Sequence, residues 1–293
     1  MNQKRISLFE ILSYIILTLA AIACIYPFYY LLIYSVSFPS EAYSKGVYLL
    51  PRGFTLENYI RILTQKDISH AVFISLSRTT LGTIITIFCT TLFAYVLTKK
   101  QYKTFKFIYR VTVVTLYLSP GIIPWYLTMK AMHLNNNFLL YILPSAVVAF
   151  YLILVKTYME SIPPSLEESA MIDGAGYFAI YRCIIFPTCK PIVATIAVFS
   201  AVGQWNQWYD NFMLVQNPDL TTLQMILMNY LRESERLAKA TSDELQKLTQ
   251  TVKLTPQSIR ITITMIVTLP IILVYPFLQR YFVKGIMIGA IKG

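Results

Sequence analysis

The chain repeatedly runs for about 20 residues or more with few or no charged side chains, long enough for a helix to cross ~30 Å of hydrocarbon. Residues 11–36, ILSYIILTLAAIACIYPFYYLLIYSV, contain no Asp, Glu, Lys or Arg. Such a run adopts a helix in lipid because a helix closes its backbone hydrogen bonds within itself. Charges and turn residues fence six candidate spans, at about 11–36, 74–98, 108–130, 137–158, 188–214 and 261–282. The two-residue alternation of a membrane barrel is missing. The expected fold is an all-α integral membrane domain over residues 1–293, multi-pass in the cell membrane with lipid around it. Composition agrees, with 56% of residues apolar and 13% charged, against roughly 25% charged in soluble domains.

Residues 19–24, LAAIAC, lie downstream of Lys4 and Arg5 and resemble the cleavage region of an export signal. The apolar run continues to Val36, which predicts an uncleaved first helix. Cys24, Cys89, Cys183 and Cys189 lack C-x-x-C spacing and read as small apolar residues. His70 and His133 stand alone near outer turns, so no metal residues are expected. The net charge of +11 is divided among short loops rather than gathered on one solvated face. That distribution fits membrane topology and argues against nucleic acid as a partner.

Short loops rich in Lys and Arg stay on the cytoplasmic side. The loop KKQYKTFKFIYR, residues 99–110, carries Lys99, Lys100, Lys103, Lys106 and Arg110 and no acid. With that loop inside, both termini and residues 159–187 are cytoplasmic, while 37–73, 131–136 and 215–260 lie outside. Residues 215–260 are rich in helix formers and offer a helix restart at Thr241 or Ser242. Two readings of this segment stand open, a solvated cap and a docking surface for an extracytoplasmic partner.

The cytoplasmic segment 159–187 interrupts the oil with EESAMIDGAGYFAIYRCIIFP. Pro163 and Pro164 stop the preceding helix. Ser165 and Glu168 have the spacing of a capping box, which predicts a helix over 166–173 ended by Gly174. A second short helix is expected over about 175–186, before Pro187. Ser169, Ala170, Ala175 and Gly176 keep the bend small enough for another body to approach, with Met171 among the apolar contacts and Glu167, Glu168 and Asp173 supplying charge. Such a projection reads as a knob for a groove.

The stretch ESAMIDGAGYFAIYRCIIFP resembles the E-A-A-x-x-x-G-x9-I-x-L-P pattern of membrane subunits in binding-protein-dependent ABC importers. Glu168, Ala170, Gly174, Ile184 and Pro187 fall on it, while Ser169 replaces an alanine and Phe186 a leucine. FTLENYIRIL at 54–63, the pair Trp205-Asn206 and the ending YPFLQRYFVKGIMIGAIKG are similar to the maltose-type, complex-oligosaccharide branch. The resemblance implies a six-helix type I permease fold whose helix at 165–177 couples to ATPases through Glu167, Glu168, Ser169, Ala170, Met171, Asp173, Gly174 and Ala175. It also implies a second permease subunit, two cytoplasmic ATPase subunits that bind ATP and Mg, and an extracytoplasmic solute-binding protein delivering an oligosaccharide. Glu168 has a second reading, as a cap of its own helix.

The sequence holds no G-x-x-x-x-G-K-[ST] loop to cradle nucleotide phosphates, so the chain is not expected to be catalytic and no cofactor is expected in it. An ion gradient as energy source usually leaves acids inside spans. The span centres lack them, and Arg78, Lys156 and Glu160 sit near span ends, where long side chains can snorkel. A sugar path needs aromatic faces and hydrogen-bonding side chains. QWNQWYDN at 204–211 offers Gln204, Trp205, Asn206, Trp208 and Asn211, and Trp125 follows Pro120 and Pro124. On a continuous helix Gln204, Trp208 and Asn211 share a stripe. Pore lining, interfacial anchoring and helix packing remain open for this set. The rival function is an ATPase-independent membrane channel or scaffold.

Overall fold

A computed structural model of the chain describes residues 8–99, 102–118, 120–238 and 256–290. Lys100 and the expected helix restart at Thr241 or Ser242 lie outside them. Helices α1 (Leu8–Ser35), α2 (Pro39–Lys45), α3 (Glu57–Leu63), α4 (Lys66–Leu97), α5 (Lys103–Thr115) and α6 (Ile122–Ala131) follow in order. After 3-10 turns at Phe138–Tyr141 and Leu143–Ser145 come α7 (Ala149–Glu160), α8 (Pro164–Ile172) and α9 (Tyr177–Thr188). The described chain continues with α10 (Lys190–Asn206), α11 (Tyr209–Leu214), α12 (Leu223–Ala238) and α13 (Pro256–Ala290).

Among the described residues three helices are long and apolar enough to cross a membrane unbroken: α1, α4 and the portion Gln257–Val274 of α13. Two more spans appear if bent pairs are joined. Phe138–Ser145 meets α7 at 45°, and α9 meets α10 at 80°. The expected span 108–130 is not one helix. α5 ends at Thr115, α6 begins at Ile122, and Gly121 between them takes φ +76, a conformation that breaks an α-helix. Pro120 beside it has no N–H to continue the ladder. The expected second span starts early, because α4 already begins at Lys66.

The chain divides into two units, Met1–Ile68 with Leu227–Leu269 and Ser69–Ile226 with Pro270–Gly293. In the first, most of α1 is exposed apolar surface, as a lipid-facing helix would be, and only its last turn is buried. Asn58 Nδ2 donates to the carbonyls of Ser35 and Ser37 at 2.9 and 3.0 Å, supplying partners to the orphan end of α1. The Ser35 and Tyr59 hydroxyls are 2.7 Å apart. Asn58 and Tyr59 of FTLENYIRIL therefore tie this segment to the helix before it.

Two apolar centres of the second unit can be described. One gathers Ala94, Tyr95 and Leu97 of α4, Leu152, Val155 and Met159 of α7, Ala170 of α8, Ile180, Tyr181 and Ile185 of α9, and Cys189 with Ile196 of α10. The other joins Ile74 of α4, Met129 of α6, residues Leu140 to Ile142 and Leu214 of α11. Asn136 does more than make a turn. At φ +50 its Oδ1 accepts from the backbone N–H groups of Gln216 and Asn217 at 2.6 and 3.0 Å, locking two turns together.

Candidate functional site

The interruption at 159–187 folds as a helix, a glycine turn and a second helix. α8 begins with Pro164 in its first turn, where a missing N–H is harmless. The capping box does not form. Pro163 is the N-cap and no side chain caps the helix, because the proline pair moves the start one residue ahead of Ser165. At the other end Gly174 has φ +81. Its N–H donates to the Met171 carbonyl at 3.0 Å, and the Ala175 N–H to the Ala170 carbonyl at 2.9 Å, a Schellman closure. A side chain at 174 or 176 would meet nothing within 4 Å.

Glu168, Ser169, Met171, Asp173 and Gly174 are exposed on this projection, Ala175 is half-buried, and Ala170 turns into the core. Ile172 is 86% exposed and Phe178 61%, so the tip of the projection is partly apolar. Glu167 turns inward. It accepts a hydrogen bond from Lys99 Nζ and another from Tyr95 OH at 3.0 Å. The expected helix over 175–186 contains a π turn at Tyr181–Ile185, which inserts an extra residue per turn.

The second feature lies where the expected stripe over 204–211 fails. α10 ends at Asn206, Gln207 is extended at ψ +123, and α11 starts afresh at Tyr209. Gln204, Trp208 and Asn211 therefore do not lie along one helix. The break is filled by Arg78 of α4. Its Nη1 donates to the freed Gln207 carbonyl at 3.1 Å and to Asp210 Oδ1 at 3.1 Å. Nη2 reaches Asp210 Oδ2 at 2.5 Å and Nε reaches Gln204 Oε1 at 3.0 Å. A cation at the C-terminal end of α10 and an acid in the first turn of α11 both oppose the partial charges of those helix ends.

Arg78 does not snorkel. Its side chain is 3% exposed, and that of Asp210 is 7%. The sequence reading missed this pair, since Asp210 passes as one polar residue at a span's end. The signal available was an acid and a base that each need a partner when buried in lipid. Lys156 is likewise buried, held 2.8 Å from Glu160 and 4.1 Å from the Tyr109 ring centre.

Around the break opens a cavity of about 300 Å³, lined among others by Arg78, Trp125, Tyr151, Gln204, Tyr209 and Asp210. That is the lower end of the ~300–1,000 Å³ typical of ligand pockets. Of the sequence candidates it unites Trp125 and Gln204. Gln204 is already engaged, donating from Nε2 to Ser145 Oγ at 2.6 Å and crossing α4 at Gly82, where a Cβ would stand 2.6 Å from Nε2. Asn211 is buried in bonds to Tyr141 OH and the Leu220 carbonyl, the latter at 3.0 Å. Trp205 is buried on a separate apolar groove, Trp208 packs edge-on to Tyr209, and Asn206 is exposed. The Tyr209 hydroxyl is buried and, among the described residues, has no hydrogen-bond partner.

No family model matches the chain. It is 32% identical over 292 residues to Protein LplC of Bacillus subtilis (strain 168), covering 100% of this chain and 97% of that protein. It is 31% identical over 286 residues to the polygalacturonan/rhamnogalacturonan transport system permease protein YtcP of the same organism, covering 98% and 99%. Its fold matches a chain in the crystal structure of a bacterial ABC transporter involved in the import of the acidic polysaccharide alginate. The TM-score is 0.84 at 26% identity, over 94% of this chain and 96% of that one.

Proposed function

This chain belongs to the carbohydrate permease subunits of ABC importers, and on that premise we propose that it forms one half of an oligosaccharide path, worked by α8 as a coupling helix. The other half is a second permease subunit. Two cytoplasmic ATPase subunits bind ATP and Mg, hydrolyse the nucleotide and close on α8, while an extracytoplasmic solute-binding protein delivers the sugar. The chain itself contributes no catalytic step. On this reading it has six spans, the third interrupted between α5 and α6, with both termini and the 159–187 projection in the cytoplasm, an orientation supported by the acid-free basic loop 99–110.

The observation that carries this reading is the exposed, glycine-closed α8 tip. Its closure is built from backbone bonds alone, and its outward carboxylate, Glu168, is left for another body. The cavity at the α10–α11 break supplies the sugar-facing chemistry, because broken helices place free backbone and polar groups at membrane depth where transporters bind cargo. Trp125 and Tyr209 line that cavity with aromatic rings that pack on each other, and Gln204 and Asp210 line it with polar groups. Relatives named for polygalacturonan/rhamnogalacturonan transport and for alginate import support a complex saccharide as cargo.

Glu168→Lys reverses the exposed charge without touching a hydrogen bond or ion pair among the described residues. Like charges brought together cost several kcal/mol, so ATPase recovered on a tagged chain drops by about ten-fold or more. Unchanged recovery and uptake would instead favour an ATPase-independent channel.

A further inference from the structure

Glu167 and Glu168 are neighbours in sequence but address different bodies. Glu168 faces solvent, whereas Glu167 is folded against the end of α4, where Lys99 Nζ and Tyr95 OH both donate to its Oε1. The Lys99 ammonium also lies 4.0 Å from the Tyr95 ring centre and 5.3 Å from that of Tyr177. Ring faces attract a cation at such distances. One ammonium thus joins the last turn of α4, the first turn of α8 and the first residue of α9.

The pair is shielded, with side-chain exposure of 14% for Lys99 and 22% for Glu167. A fully exposed ion pair would hold little, but screening is weaker here and two rings add to the carboxylate. Lys99 also sits just beyond the C-terminus of α4, where a cation is favoured. Ala170 of α8 also packs into the apolar centre, and an apolar surface can slide where the bonds of Glu167 to Lys99 and Tyr95 cannot.

We infer that Lys99 is a positioning residue that fixes α8 to α4, so that movement of the coupling helix is delivered to the spanning helix that carries Arg78 and Gly82. The inference rests on the coupling role proposed above, and it assigns Glu167 to the inside of the chain rather than to the ATPase contact. Lys99 itself touches neither sugar nor nucleotide.

The test uses the assembled importer in lipid nanodiscs and compares ATP hydrolysis with and without the sugar-loaded binding protein. Lys99→Met lowers that stimulation ratio by about five-fold or more, the low end of a typical coupling between sites, while ATPase still copurifies. Lys99→Arg keeps the ratio. Lys99→Glu combined with Glu167→Lys restores what either single reversal removes, a recovery that a merely misfolded variant does not show. An undiminished ratio in Lys99→Met overturns the inference, as does a swapped pair no better than its single parents. Loss of ATPase from the Glu167→Gln complex also overturns it, by placing Glu167 at the subunit contact. A wild-type chain that retains no ATPase at all defeats the coupling role itself, and the inference with it.

Discussion

Asp210→Asn keeps the outline of the side chain and removes its charge. Arg78 then retains Gln204 Oε1 at 3.0 Å and the Gln207 carbonyl at 3.1 Å, but loses the carboxylate that takes both Nη1 and Nη2. The asparagine can accept from only one of these nitrogens, and its amide turns a donor toward the other. With the guanidinium 3% exposed, water cannot replace the lost acceptor. Removing one partner of a buried pair costs about 3–5 kcal/mol. At about 2–4 °C per kcal/mol, the apparent melting temperature falls by ~6–20 °C. Heating the detergent-purified importer and following the surviving monodisperse fraction measures it. Replacing both partners, Arg78→Met with Asp210→Leu, leaves no orphan charge and recovers most of the loss. An Asp210→Asn protein that melts with wild type, or a double variant less stable than the single, refutes the assignment of Asp210 as the counter-charge of Arg78.

Two further outcomes follow from the same structure. Gly82→Ala places a methyl 2.6 Å from Gln204 Nε2 and 2.8 Å from its Cδ, so Gln204 must leave Arg78 or Ser145; a loss of about 1–3 kcal/mol is expected in the same melting assay. Cys183 is exposed beside the projection while Cys189 is buried, so a membrane-impermeant maleimide labels Cys183 in inside-out vesicles and spares it in intact cells, and labelling from outside contradicts the orientation.

The features legible in sequence are those fixed by neighbours along the chain. Residues 11–36 announce a membrane helix by lacking charge, and Gly174 announces a turn because a left-handed residue must close α8. The Ser165–Glu168 spacing misled because Pro164 competes for the same helix start and begins it first. The break at 207–208 was invisible because its cause, Arg78, lies 129 positions from the carbonyl it satisfies. Composition alone cannot show a helix ending where a distant side chain replaces its backbone partner. For the same reason Gln204 and Asn211 read as residues available to a sugar, although Arg78, Ser145, Tyr141 and Leu220 already engage them. The third span, 108–130, is broken by its own residues, since Pro120 and Gly121 interrupt the helix between apolar runs on either side.

The turn at Gly174 closes on backbone bonds from Met171 and Ala170, and empty space surrounds Gly174 and Gly176. The crest of the projection is therefore a self-contained cassette, whose outward side chains can drift in evolution without repacking the bundle beneath. On the coupling role proposed above, a lineage could exchange one engine for another by rewriting these few residues, leaving the spanning helices untouched.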